Sequence, residues 1–122
     1  MWTLHGIEPE VLDYRAMKVI HAGYQLRPEI MESAYVLQRK TGDLRYFDMG
    51  ATYFGDLVRR CRVPAGYTSL RSVVTGEQGD LMHSFFLTET LKYLYLLFRP
   101  DPAYFGKGVV FNTEAHPLRR TW

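Results

Sequence analysis

The stretch SFFLTETLKYLYLLF, residues 84–98, decides what kind of fold this chain can have. It reads as one helix that is apolar on nearly every side. A helix with no polar face belongs inside a protein, surrounded by other elements. It cannot cross a bilayer, which needs about 20 predominantly apolar residues, and Glu89 and Lys92 interrupt it. Its burial demands several neighbours.

Working outward, two further helices are expected. Pro28 suits a first helical position, where its missing N–H is no loss, so a helix runs from Pro28 to about Lys40. Gly42 is placed to end it and Asp43 to cap a second helix over residues 44 to 60, with Tyr46, Phe47, Phe54, Leu57 and Val58 toward the core. Residues 6–26, with Gly6, Pro9 and Gly23, read as loop and extended chain. Residues 62–80 carry four helix breakers, Pro64, Gly66, Gly76 and Gly79, and read as short strands. VVFN at 109–112 reads as a strand after Pro100 and Pro102. Three helices cannot by themselves enclose residues 84–98. The expectation is an all-α array that continues beyond this chain.

At 122 residues the chain has the length of one small domain or a piece of a larger one. Aromatic residues make up 15% of it, which favours a large core or a sugar-stacking surface. A net charge of +2, with scattered basic residues, excludes a nucleic-acid footprint. One cysteine, Cys61, cannot form an internal disulfide and reads as a packed thiol. The N-terminus has neither the basic start nor the apolar run of a signal peptide.

The chemistry concentrates in acidic residues. Glu29 and Glu32, three apart, share a face at the start of the first helix. Glu89 sits inside the apolar helix, and Glu114 lies beside the last strand. A carboxylate in residues 84–98 must find a donor or a cation, with Lys92, Arg27 or a tyrosine as the structural answers. Taken singly, each glutamate is more often structural than functional. Four together point to a hard-cation or sugar site, since calcium takes roughly six to eight oxygen ligands. Thr113 could offer such an ion its hydroxyl and its carbonyl, and Phe85 could stack on a sugar ring. The four histidines lack metal-ligand spacing, and neither a nucleophile triad nor a phosphate loop is present.

Taken together, LRPEIMES (26–33), TGD (41–43), CRVPAGYTSLRSV (61–73), SFFLTETLKYLYLLF (84–98) and VVFNTEAHPL (109–118) resemble the C-terminal part of the class I α-1,2-mannosidases, glycoside hydrolase family 47. The resemblance covers about residues 24–118 in order. It implies an (α/α)7 barrel plugged by a C-terminal β-hairpin, with residues 1–122 an incomplete part of the catalytic domain. It also implies Ca2+, bound by Thr113, with Glu32, Glu89 and Glu114 holding the ion's waters or sugar hydroxyls. Glu29 matches the proposed general base, Arg27 an arginine of the sugar site, and Phe85 the phenylalanine under the terminal mannose.

The implied reaction is inverting hydrolysis of terminal α-1,2-mannose from high-mannose oligosaccharides or N-glycans. The alternative is a mannose-glycan recognition protein of the degradation-enhancing type; a plain helical interaction module is a third reading. The family's general acid and a further aspartate lie upstream, in a remainder of the barrel that this chain would need. None of Glu8, Glu10 and Asp13 sits in the acid motif, and GIEPE (6–10) resembles the segment that shortly precedes RPE. His83 departs from the family pattern and reads as a pocket-rim or surface residue. The tail FRPDPAYFGKGVVFNTEAHPLRR (98–120) departs in its loop too, and together with GIEPEVLDY (6–14) it leans toward a bacterial or fungal member. Such enzymes work in the endoplasmic reticulum or Golgi if eukaryotic, and are secreted or periplasmic if bacterial. The isolated chain is expected to be inactive, weak in calcium binding and poorly soluble.

Overall fold

The structure, a computed structural model, describes residues 5–99 and 108–121. Residues 100–107, which include Pro100 and Pro102, lie outside the described residues. The chain divides into two compact units, Met1–Arg27 with Ala51–His83, and Pro28–Gly50 with Ser84–Trp122.

In the second unit, helix α1 spans Glu29–Thr41. It starts after Pro28 and ends where Gly42 turns left-handed at φ 71°, donating its N–H to the Gln38 carbonyl at 2.8 Å. Glycine reaches this conformation without a Cβ penalty, so the expected stop is the observed one. Asp43 then caps helix α2, Arg45–Cys61, by accepting the Arg45 N–H at 2.9 Å. Its carboxylate also pairs with the Arg45 side chain, which holds it below its ordinary pKa. Met31, Ala34 and Tyr35 form the buried face of α1.

Residues 84–98 do not form one continuous α-helix. Phe86–Thr90 make a π-turn, closed by Leu91 N–H on the Phe86 carbonyl, before helix α3, Leu91–Phe98. A π-turn carries one extra residue and so rotates the preceding side chains by about 100° relative to α3. Contrary to expectation, the segment is not buried on every side. Leu87 and Tyr95 are 56% and 50% exposed, while Glu89 is 6% exposed. Gly50 allows α2 and α3 to approach closely, since a Cβ there would lie 2.2 Å from Leu97 Cδ2. Strands β7 (Val109–Phe111) and β8 (Pro117–Arg119) form the C-terminal hairpin. Phe111 at its base packs edge-on against Tyr35 and Tyr93.

The first unit holds three small antiparallel hairpins, β1 (Val11–Asp13) with β2 (Lys18–His21), β3 (Arg62–Val63) with β4 (Gly66–Tyr67), and β5 (Leu70–Ser72) with β6 (Glu77–Gln78). The last two are the short strands expected in residues 62–80. The first corrects the reading of residues 6–26 as loop and extended chain. Asp13 nucleates it, its Oδ1 accepting the N–H groups of Arg15 and Ala16. Ile7, Tyr24, Leu26, Tyr53, Leu57, Cys61, Leu70 and Val73 form the core of this unit. Of the five α2 residues expected to face inward, Leu57 is fully buried, Tyr46 and Val58 are half-buried, and Phe47 and Phe54 are exposed. Tyr53 takes the inner position instead. Burial pushes the Cys61 thiol up to about 12, leaving it protonated and inert.

Among the described residues every strand belongs to a two-stranded hairpin, so the helices are the larger elements of an otherwise loop-rich chain.

Candidate active site

The second unit brings the four glutamates into one electrostatic neighbourhood. Glu29 and Glu32 lie in the first turn of α1, where unsatisfied backbone N–H groups favour negative charge. Glu29 is exposed. Glu32 is half-buried and accepts a hydrogen bond from the Tyr93 hydroxyl at 3.2 Å. Glu89, on the π-turn, has its pKa raised, first by burial and then by the negative charges of Glu114, Glu29 and Glu32, while Lys92 opposes the shift. Burial and the Glu32 carboxylate also raise the Tyr93 phenol, which stays a hydrogen-bond donor. Among the described residues, Glu89 takes part in no ion pair. Phe85 is half-buried, four residues before it.

Thr113 and Glu114 sit exposed on the turn between β7 and β8. Asn112 builds this turn. Its Oδ1 accepts the Glu114 N–H at 3.0 Å and the His116 N–H at 2.8 Å, while its carbonyl accepts Ala115 N–H at 3.0 Å. Ala115 is fully buried and has φ 54°, a left-handed conformation uncommon for a residue with a Cβ. Lys92 Nζ donates to its carbonyl at 2.8 Å. Lys92 is one of the partners the sequence suggests for Glu89; its hydrogen bond goes to the turn, and its charge alone reaches the carboxylate.

Arg27 belongs to the first unit and is exposed. Its Nε donates to Glu10 Oε2 at 2.6 Å, and the other oxygen of Glu10 accepts the Gln25 N–H at 2.9 Å. Between these bonds lies Leu26, fully buried with φ 63°. The Arg27 carbonyl accepts from the Tyr53 hydroxyl at 3.3 Å, and Tyr53 in turn bonds the Tyr24 hydroxyl. The sequence does not single out Glu10 and Tyr53 as supports of Arg27. Both contacts span more than fifteen residues, and local patterning carries no signal for them. His83 is half-buried.

The donor set around the glutamates is all oxygen, which suits a hard cation rather than zinc or copper. Among the described residues, no three or more His, Cys, Asp or Glu side chains converge closely enough to chelate a metal directly. A cation here would therefore lean on neutral oxygens such as those of Thr113, with carboxylates compensating its charge at longer range. The residues present fit that kind of site.

Comparison with known proteins agrees with this geometry. Residues 6–120 match the model of glycosyl hydrolase family 47. The chain is 49% identical over 94 residues to mannosyl-oligosaccharide 1,2-alpha-mannosidase MNS1 of Arabidopsis thaliana, covering 77% of this chain and 17% of that protein. It is 42% identical over 118 residues to the ER degradation-enhancing alpha-mannosidase-like protein 3 of Homo sapiens, covering 93% and 12%. Among solved structures, an alpha-1,2-mannosidase from Trichoderma reesei superposes with a TM-score of 0.77 at 37% identity, over 83% of this chain and 22% of that one. The chain thus spans less than a quarter of the length of each of these proteins. With the family's sequence pattern running through nearly all of it and its backbone following a solved α-1,2-mannosidase, the chain belongs to glycosyl hydrolase family 47.

Proposed function

We propose that this chain is the C-terminal part of the catalytic domain of a calcium-dependent, inverting α-1,2-mannosidase that trims terminal mannose from high-mannose glycans. The domain is an (α/α)7 barrel whose other helices cover the apolar surfaces exposed here, and the β7–β8 hairpin is its plug. The observation that carries the reading is Glu89, a buried carboxylate that feels the negative charges of Glu114, Glu29 and Glu32. Such a cluster is costly for folding unless it has a use.

Within this proposal Thr113 holds calcium through its hydroxyl and carbonyl oxygens, and Glu32, Glu89 and Glu114 hold the ion's waters or sugar hydroxyls. When bound, the ion supplies a positive anchor for vicinal hydroxyls and for a water. Glu29 is the general base. Its exposure at the start of α1 leaves it accessible to a water on the face of the sugar opposite the leaving group. Phe85 supports the apolar face of the mannose ring and Arg27 binds its hydroxyls. The general acid comes from the remainder of the barrel, roughly 6.5–9.5 Å from the base as inversion requires. Similarity to a protein named for ER degradation supports a secretory-pathway setting for a eukaryotic source.

The second reading, a mannose-glycan recognition protein, has support in the 42% identity to a degradation-enhancing relative over 93% of the chain. Proton NMR of the full-length protein acting on Manα1,2Man separates the two. The proposal expects the β anomer of mannose to appear first and chelator to stop its release. Binding without release would favour recognition, and initial α-mannose would overturn inversion.

A further inference from the structure

The turn that carries Thr113 and Glu114 is closed locally by Asn112, but a locally closed turn can still pivot on its hairpin. Lys92, one residue into α3, supplies a bond from outside the hairpin by donating to the Ala115 carbonyl at 2.8 Å. Ala115 is the residue in the turn with the least usual backbone, left-handed at φ 54° and fully buried. Its N–H is held by the Asn112 carbonyl and its C=O by Lys92, so both peptide planes around it are pinned. Lys92 also lies three residues after Glu89, across the junction between the π-turn and α3. Its ammonium is a positive charge felt by the Glu89 carboxylate.

We propose that Lys92 is the positioning residue of the Thr113–Glu114 turn, tethering the Ala115 carbonyl so that Thr113 presents its oxygens to the cation site. The cation role of Thr113 rests on the function proposed above; the tether itself does not. Lys92 touches neither sugar nor ion. It acts through the backbone two residues beyond Thr113. Losing the tether lets Ala115 relax toward a commoner backbone conformation and carries Thr113 and Glu114 with it.

Two readouts on the full-length protein test this. In calcium-free protein, Lys92→Met is expected to speed amide hydrogen exchange at Glu114 and His116 by about tenfold while leaving α1 unchanged. By calcium titration, the same variant is expected to bind the ion about ten- to a hundredfold more weakly, the range seen when support of a metal ligand is lost. Lys92→Arg, which keeps a charged donor, is expected to recover most of both effects. Unchanged exchange in Lys92→Met overturns the inference. So does a Lys92→Arg variant as impaired as Lys92→Met, because the lysine would then act by packing alone. If Lys92→Met does not fold, Lys92→Gln, a shorter neutral donor, takes its place with the same expected losses. Wild-type protein that binds no calcium, together with faster turn exchange in the variant, would sink the proposed function and leave the tether standing.

Discussion

Two segments of this protein place a buried, left-handed residue with a side chain next to a candidate site residue, and they hold it differently. Leu26 precedes Arg27, and Ala115 follows Glu114. In residues 23–27 the clamp comes from afar: Glu10 bonds the Gln25 N–H and the Arg27 side chain, and Tyr53 bonds the Arg27 carbonyl. In residues 112–116 the clamp is mostly local, built by Asn112, with Lys92 as the distant contribution. The difference teaches where each strain is offset. Leu26 is anchored by its own buried side chain, whereas Ala115 has one methyl to bury and depends on its hydrogen bonds.

The same substitution should therefore act in opposite directions at the two positions. Leu26→Gly relieves a left-handed cost of about 1–2 kcal/mol but empties a buried leucine site, a loss of about 2–5 kcal/mol when the side chain is cut back. A clear fall in the thermal midpoint of the full-length protein is expected. Ala115→Gly gives the same relief with little lost packing, offset in part by the greater freedom of glycine in the unfolded chain, so its midpoint should hold or rise by a degree or two, of the order expected for less than about 1 kcal/mol in a large protein. A large destabilisation by Ala115→Gly would break the comparison.

Removing the clamps sharpens it. Asn112→Ala deletes the local acceptor of two backbone N–H groups and should cost about 1–2 kcal/mol of stability. Glu10→Gln keeps the shape of its clamp and removes the charge that pairs with Arg27. Under the proposed function it should lower kcat/KM about tenfold, from a charge-assisted bond of about 1.5 kcal/mol, with a smaller stability change than Asn112→Ala. Equal effects of both on stability and none on kinetics would make the two clamps equivalent.

The smallest effect concerns Glu89. Its folded pKa is raised, so the folded state holds the proton more tightly than the unfolded state does. Stability is then lost as pH rises from below the ordinary carboxylate range through the folded pKa, and the full cost applies above it. In calcium-free protein, Glu89→Gln should raise the thermal midpoint at neutral pH, and the gain should vanish as pH falls below the ordinary carboxylate range. A gain independent of pH would show that burial of the charge is not its source.

Part of this fold is legible in the sequence because the chemistry that sets it is local. Pro28 at the start of α1, Gly42 at its end and Asp43 at the next cap each act within a few residues, and each stands where the pattern puts it. The π-turn has no such signal, because an i→i+5 bond uses the same apolar residues as an α-helix. The β1–β2 hairpin escapes the pattern because its strands are three and four residues long and a bulge breaks their alternation. Hydrophobicity alone points Phe47 and Phe54 inward, although the second unit uses Phe47 edge-on against Phe98 and the first buries Tyr53. At the site, elementary electrostatics picks out the four glutamates. Chemistry offers Thr113 as a turn residue whose two oxygens could reach such an ion, but its assignment as the metal ligand, like that of Arg27 as a sugar contact, comes from the family pattern.

The measurement that bears most directly on the central claim is a calcium titration of the full-length protein by isothermal calorimetry, wild type beside Thr113→Ala. The account predicts one calcium bound by the wild type and an affinity lower by about a hundredfold or more in the variant, as befits a direct ligand rather than its support. Equal affinity in the two proteins, or no calcium bound by the wild type, would contradict it.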